Sequence, residues 1–455
     1  MTTESGLPGG VLLGWYGDDF TGSAAVMEAL EFAGLPAVLF LDLPLPHQVA
    51  RFPAARAVGI ASTARTHAPG WMEAHLPPAF RFLAETGAPV VHYKICSTLD
   101  SAPETGSIGR AIDIGTGIVP GPWVPCLVAA PNMRRYQCFG HLFAGAPEGV
   151  FRLDRHPVMA RHPVTPMDES DVGRHLARQT AKAMGLIDLE DLAGDPRAAL
   201  RREIDRGAEV IALDAMTMAD MAACGALIWE GRDAPIFAVG SQGVEYALVE
   251  HWRQAGLMPR IDRTAGAGPV DQMVAVSGSV SPVTAAQIDW AEANGFAGIA
   301  LDAAAVACGD AGAEAAALAA ARQALSEGRD ALIHSARGPE DPGVARMREA
   351  CQAAGIAPDT ANGRIGSALG RILRHLLAET GLTRAVISGG DTSGFAARTL
   401  DFYALTALAP TIPGAALMRA WSDDAALDGL QLALKGGQMG SRDFFGWIKR
   451  GGGTA

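Results

Sequence analysis

No two of the six cysteines form a CxxC pair, and no close Cys/His cluster has the spacing of a zinc site. The thiols therefore read as reduced and mostly buried, as in a cytoplasmic enzyme. No long basic run occurs either. Lys and Arg total 37 against 49 Asp and Glu, a formal net charge of −12. A general electrostatic grip on nucleic acid or on a membrane surface is excluded, so any phosphate must be held locally. Residues 1–10 carry no basic flank, and the apolar stretch that follows breaks at Gly17, Asp18 and Asp19. Neither a signal peptide nor a membrane span is expected. Neither GxxxxGK[ST] nor GxGxxG appears, which argues against a P-loop and against a standard dinucleotide fold. No repeat of solenoid length is visible.

What is present is a globular composition, 49% hydrophobic over 455 residues, a length that favours more than one domain. Short apolar runs at Val11–Tyr16, Ala37–Leu41, Arg56–Ala61, Pro89–Tyr93, Cys126–Ala130 and Val210–Leu213 read as strands. Stretches of helical period, such as Ser23–Ala33, Met72–Thr86 and Asp168–Ala183, separate several of them. The Gly-, Arg- and Pro-rich residues 257–269 interrupt the pattern and read as a linker between domains 1–256 and 270–455. Strands at Gln272–Val276, Ala331–His334 and Arg384–Ile387 follow, with helices at Thr284–Ala293 and Ala311–Ser326 and an apolar helix face at Ile365, Leu369, Ile372, Leu373 and Leu376. The expected fold class is α/β, with two domains, each a mostly parallel sheet flanked by helices.

One local design occurs three times: an apolar strand runs into a loop of small polar residues, and a helix follows. The segments are LLGWYGDDFTGSAAVMEAL (12–30), MVAVSGSVSPVTAAQIDWAE (273–292) and AVISGGDTSGFAARTLDFY (385–403). In open α/β sheets ligands bind at the carboxyl ends of strands, and helix N-termini favour anions. Ser, Thr and Asp before a helix are also ordinary N-caps, so one such loop alone indicates little. Two in the same domain, Ser277–Ser281 with Ser279 between them, and Gly389–Gly394, indicate phosphate binding. Asp391 within the second loop is a candidate for Mg²⁺ or, alternatively, a helix cap.

The first loop differs, because adjacent carboxylates repel a phosphate but accept hydrogen bonds from a polyol. Asp18 or Asp19 can also serve as a general base, with Asp19 favoured on position. Lys94 and Arg65, near other strand ends, are candidate carboxylate contacts. Ser97 and Thr98 follow Lys94. In HPVTPMDESD (162–171) helix capping is an adequate reading, and His162 is a weak candidate.

Together these motifs, from GDDFTG (17–22) to LKGGQMGSRDFF (434–445), resemble the four-carbon acid sugar kinase family over nearly the whole chain. The resemblance implies an N-terminal acid-sugar-binding domain and a C-terminal ATP-binding domain. It implies phosphorylation of acids such as threonate, erythronate or 3-oxo-tetronate with ATP and Mg²⁺. By position it implies ATP contacts at Ser279 or Ser281, at Gly389, Gly390, Asp391 and Thr392, and at Gly437. It implies substrate contacts at Asp18, Asp19, Arg65, Lys94, Ser97 and Thr98; Arg135 resembles a further family arginine. Many relatives read Lys-x-Asp-Ser-Thr-Leu-Arg-Gly where this chain has Cys96 and Asp100 in place of the Asp and the Arg. Likewise the usual Lys-Ser-Gly-Asn is here Lys435-Gly436-Gly437-Gln438. The nucleotide loops are thus kept better than the substrate loop, and an oxo-isoapionate-like acid is as compatible as threonate. The alternatives are a dinucleotide-dependent oxidoreductase of hydroxy acids and a non-catalytic sugar-acid sensor. The first lacks its fingerprint, and the second leaves two phosphate-type loops without a purpose. Because phosphoryl transfer spans both domains, residues 257–268 are expected to act as a hinge. A homodimer is left open.

Overall fold

The computed structural model describes residues 6–230, 234–261, 265–412 and 414–454, except for the side chains of 391–393. The chain forms two compact units, 1–262 and 263–455. Residues 262–264 of the expected linker lie outside the described ones.

The first unit contains strands β1 (Leu13–Gly17), β2 (Ala37–Phe40), β3 (Ala57–Ala61), β4 (Val90–Lys94), β5 (Val124–Leu127), β6 (Arg135–Cys138), β7 (His141–Ala146), β8 (Gly149–Arg152), β9 (Met184–Ile187), β10 (Val210–Leu213) and β11 (Ile236–Gly240). Eight of them form a wholly parallel sheet in the order β2-β3-β1-β4-β11-β5-β10-β9. Its central strands read as unbroken apolar runs because helices cover both faces. The chain leaves β1 toward β2 and β3 and then returns to the other side for β4. The switch point, where open sheets place their ligands, therefore falls beside β1. Residues Gly17, Ala61, Lys94 and Gly240 are in register across that point.

Strands β6, β7 and β8 form a separate antiparallel meander. Two sequence expectations are corrected nearby. The strand expected to reach Ala130 stops at Leu127, and a 3₁₀ turn forms at Pro131–Met133. The helix expected over Asp168–Ala183 spans only Val172–Ala177. Asp171 caps its start, and Thr180 Oγ1 turns the chain by accepting the Lys182 N–H.

The second unit contains β12 (Val274–Ser277), β13 (Phe296–Ala300), β14 (Asp330–His334), β15 (Arg384–Ser388), β16 (Phe402–Ala409), β17 (Leu417–Ser422) and β18 (Gln431–Lys435). Their order is β13-β14-β12-β15-β18-β17-β16, parallel through β18 and antiparallel at β17. Here the switch point lies between β12 and β15, whose ends carry the two small-residue loops. The core on one sheet face joins Met273, Ala275, Leu332, Val386 and Ala433 to Ile288, Phe444 and Phe445 of the covering helices. The expected face of the helix Pro358–Thr380, from Ile365 to Leu376, is buried. Of the cysteines, Cys126, Cys224 and Cys351 are buried, Cys96 and Cys138 are half-buried and Cys308 is exposed. No helix among the described residues is long and apolar enough to cross a membrane.

Candidate active site

The register of β1, β3 and β4 brings Asp18, Asp19, Arg65 and Lys94 together. Asp18 is buried, and both of its oxygens are held by the Arg65 fork. Nε donates to Oδ2 at 3.1 Å and Nη2 to Oδ1 at 2.6 Å. The same Nη2 reaches Asp19 Oδ1 at 2.8 Å. Asp19 also caps the helix Phe20–Phe32 by accepting the Gly22 N–H, so the capping reading is true of it. Asp19 Oδ2 and Arg65 Nη1 make no hydrogen bond among the described residues, and both groups are partly exposed. Burial pushes the Asp18 carboxyl up to about 6, the Arg65 guanidinium opposing that push in part. Arg65 is itself moved further into its charged form, Asp18 and Asp19 outweighing its burial.

Lys94 is buried to 2% exposure and donates to the Ile95 carbonyl at 2.7 Å. No carboxylate among the described residues pairs with it. A Cβ at Gly22 would lie 2.4 Å from Asp19 Oδ1 and 2.6 Å from Lys94 Nζ, so both charged tips converge on that glycine. Ser97 and Thr98 are buried beyond it. Thr98 Oγ1 lies 2.9 Å from Cys96 Sγ and donates to Asp100 Oδ1 at 2.8 Å. Burial pushes the Cys96 thiol up, so this loop presents a neutral sulfur. Arg135 spends its Nη1 on the carbonyls of Met133, Arg134 and Gly145. His162 Nδ1 accepts the Thr165 N–H, a local turn contact.

In the second unit Ser277, Ser279 and Ser281 are buried. Ser281 caps the helix Pro282–Ala293 and donates to Gln438 Oε1 at 3.0 Å. Gly437 packs so closely that a Cβ there would lie 2.2 Å from Ser279 Oγ. Thr284 Oγ1 donates to the Gly437 carbonyl at 2.8 Å, which fixes the 436–438 turn against that helix start. Gly389, at φ 140°, adopts a backbone that glycine favours. Gly390 stands at the N-cap of the helix Asp391–Arg398 with nothing within 4 Å of a Cβ built on it. The side chains of Asp391 and Thr392 lie outside the described residues. Sequence reasoning assigned no role to Gly22, Ser388 or Lys435. Lys435 ends a strand, as Lys94 does, and that parallel was the available signal.

Two domain models match the chain in order. A sugar-binding N-terminal domain model matches residues 13–248, and a nucleotide-binding C-terminal domain model matches 274–445. A 3-oxo-isoapionate kinase of Paraburkholderia graminis is 47% identical over 99% of this chain and 96% of its own. A 3-oxo-tetronate kinase of Pseudomonas fluorescens is 31% identical over 95% of each chain. A solved structure from Salmonella typhimurium superposes with a TM-score of 0.79 at 25% identity, over 97% of this chain and 99% of its own. Kinase relatives at this coverage leave no support for the oxidoreductase or sensor alternatives. With its paired acids, its glycine-rich loops and both domain models in order, this chain belongs to the four-carbon acid sugar kinase family and is a sugar-acid kinase.

Proposed function

We propose that the enzyme transfers the γ-phosphoryl group of ATP, with Mg²⁺, to a hydroxyl of a branched oxo sugar acid of the 3-oxo-isoapionate class, in the cytoplasm. The observation that carries the substrate choice is the 47% identity to a 3-oxo-isoapionate kinase, against 31% to a 3-oxo-tetronate kinase. The site chemistry agrees with an acid bearing hydroxyls. Lys94 and the unspent Nη1 of Arg65 offer two cations to a carboxylate, and Asp19 Oδ2 is an acceptor left open for a hydroxyl. Asp18, with both oxygens committed, positions Arg65. Ser97 and Thr98 face the remaining hydroxyls.

In the reaction the acceptor oxygen forms a bond to the γ-phosphorus while the bond to the β–γ bridging oxygen breaks. That bond's electrons leave with ADP, and the hydroxyl proton passes to Asp19. Ser277, Ser279, Ser281, Gly389, Gly390, Thr392 and Gly437 hold phosphate oxygens. Among the described residues no three His, Cys, Asp or Glu side chains converge on one point. A magnesium carried largely by the nucleotide would need only one or two protein carboxylates, Asp391 first. When bound, the ion neutralises phosphate charge.

An ADP-release assay over four- and five-carbon acid sugars tests the reading. 3-Oxo-isoapionate is expected to exceed 3-oxo-tetronate and threonate in kcat/KM by about tenfold or more, the scale of one differential contact. Equal or reversed preference overturns the substrate assignment, and turnover of none of these acids overturns the class.

A further inference from the structure

A lysine buried in a protein normally finds a carboxylate, because an ammonium ion without one costs several kcal/mol to desolvate. Two other cations of the second unit are well partnered, one by a carboxylate and one by a side-chain amide and three carbonyls. Lys449 Nζ reaches Asp330 at 2.7 Å. Buried Arg384 is hydrogen-bonded by Gln431 and by the carbonyls of Gly268, Ile448 and Lys449. Lys435 is the exception. It is 2% exposed, yet among the described residues its Nζ has only the Thr284 hydroxyl and the Gly436 carbonyl, both at 3.3 Å, and the Phe444 ring at 5.8 Å. Burial, opposed by no acid, pushes it down to about 8.

Its surroundings share this incompleteness. His334, Ser277, Ser388 and Lys435 end four adjacent parallel strands and are in register, so they form one polar row across the sheet. Their side chains continue the face that carries Leu332, Ala275, Val386 and Ala433 two residues earlier. In that row Ser388 Oγ and His334 Nδ1 are buried without a hydrogen-bond partner among the described residues. The row lies against the loops of Ser279 and Gly437: the Gly278 N–H donates to the Ser388 carbonyl, and the Gly389 N–H to the Lys435 carbonyl.

We propose that Lys435 is a catalytic residue of the phosphoryl transfer, its ammonium group and the Ser388 hydroxyl binding oxygens of the β- and γ-phosphoryl groups. The assignment rests on the nucleotide reading of this unit. A phosphate supplies the negative charge that no described residue gives Lys435, and it accepts the hydrogen bond that Ser388 places on no described residue. The charge is most valuable on the oxygen that leaves with ADP, where negative charge grows as the γ bond breaks. No proton need move from the lysine.

Calorimetric titration with ADP and AMP, alongside turnover, separates the possibilities. The wild type is expected to bind ADP more tightly than AMP. Lys435→Met is expected to lose that preference, to bind AMP within about twofold of wild type and to lower kcat by roughly 10²–10³-fold. Its thermal midpoint without nucleotide should hold or rise, since no ion pair is broken. If the variant keeps both the ADP preference and kcat, or if AMP and ADP weaken together with a falling midpoint, Lys435 is structural and the assignment is overturned. Wild-type protein that binds neither nucleotide overturns the nucleotide reading itself. Should Lys435→Met not fold, Ser388→Ala decides, because it removes a hydroxyl that has no partner among the described residues. About fivefold weaker ADP binding with AMP unchanged supports the assignment, and unchanged ADP binding overturns it.

Discussion

Each unit buries one lysine at the last residue of a parallel strand, and the two differ in what surrounds them. Lys94 is held by a 2.7 Å bond to the next carbonyl and shares its glycine neighbour with Asp19, beside the Asp18–Arg65 fork. Lys435 has the equivalent carbonyl at 3.3 Å and no acid paired with it among the described residues. Mixed charge suits a ligand that brings both a carboxylate and hydroxyls, since each sign finds its complement. An unopposed cation suits a ligand that is only anionic. On the proposed reading, the same strand-end position serves an acid sugar in one unit and a phosphate in the other, according to the acids placed around it.

The comparison is broken most directly at the phosphate side. In Gly390→Val the new side chain meets no atom within 4 Å at its Cβ, so the protein should fold normally. It then occupies the space over the loop, and ATP affinity is expected to fall beyond calorimetric detection. Unchanged ATP binding would remove phosphate from this loop. Next in size is Asp19→Asn. It keeps a cap acceptor for the Gly22 N–H but supplies no base, so kcat should drop by roughly 10²–10⁴-fold with ATP affinity intact. A full kcat would transfer the role to another group.

Much of this architecture was legible because parallel strands buried on both faces appear as plain apolar runs, and their loops as Gly, Ser and Asp. The α/β class and the three junctions followed from that. The meander from Arg135 to Arg152 and the antiparallel β16 and β17 were not legible, since half-exposed strands alternate too weakly to stand out from loops. The charges were harder still. Lys94 is a surface residue by type, and only the register of β1, β4 and β11 buries it. Gly22 is silent in sequence because its role is to leave room for a lysine far along the chain. Lys435 reads as a basic strand end until the helices carrying Thr284 and Phe444 close over it. Capping and catalysis do not exclude each other at Asp19, since Oδ1 caps and Oδ2 makes no hydrogen bond among the described residues.

Lys94→Met sharpens the comparison from the other side. A carboxylate contact is much the same in the ground and transition states, so KM for the acid should rise while kcat changes little. A charged hydrogen bond contributes about 1.5–3 kcal/mol, which corresponds to roughly 10–150-fold in KM. Initial rates at saturating ATP measure it. A loss confined to kcat would place Lys94 at the reacting oxygen instead of the carboxylate.

The smallest effect expected is a pH dependence that belongs to Asp18 alone. Its carboxyl is raised from 3.8 to about 6, chiefly by burial. The folded state therefore holds this proton more tightly than the unfolded chain does. The sign follows: the stabilisation is fully present below pH 3.8 and is lost as pH rises through about 6. Above that the buried charge costs the fold roughly 3 kcal/mol. Asn carries no charge to desolvate and still offers Arg65 one oxygen. Asp18→Asn should consequently gain on the wild type as pH rises from 5 to 7.5, by a few degrees in thermal midpoint, at about 2–4 °C per kcal/mol for a unit of this size. Scans of both proteins at closely spaced pH values measure the difference, in which other carboxylates cancel. A difference that stays flat across this window would mean that Arg65 holds Asp18 ionised throughout, making the N-terminal cluster a fixed ion pair with no proton to lose.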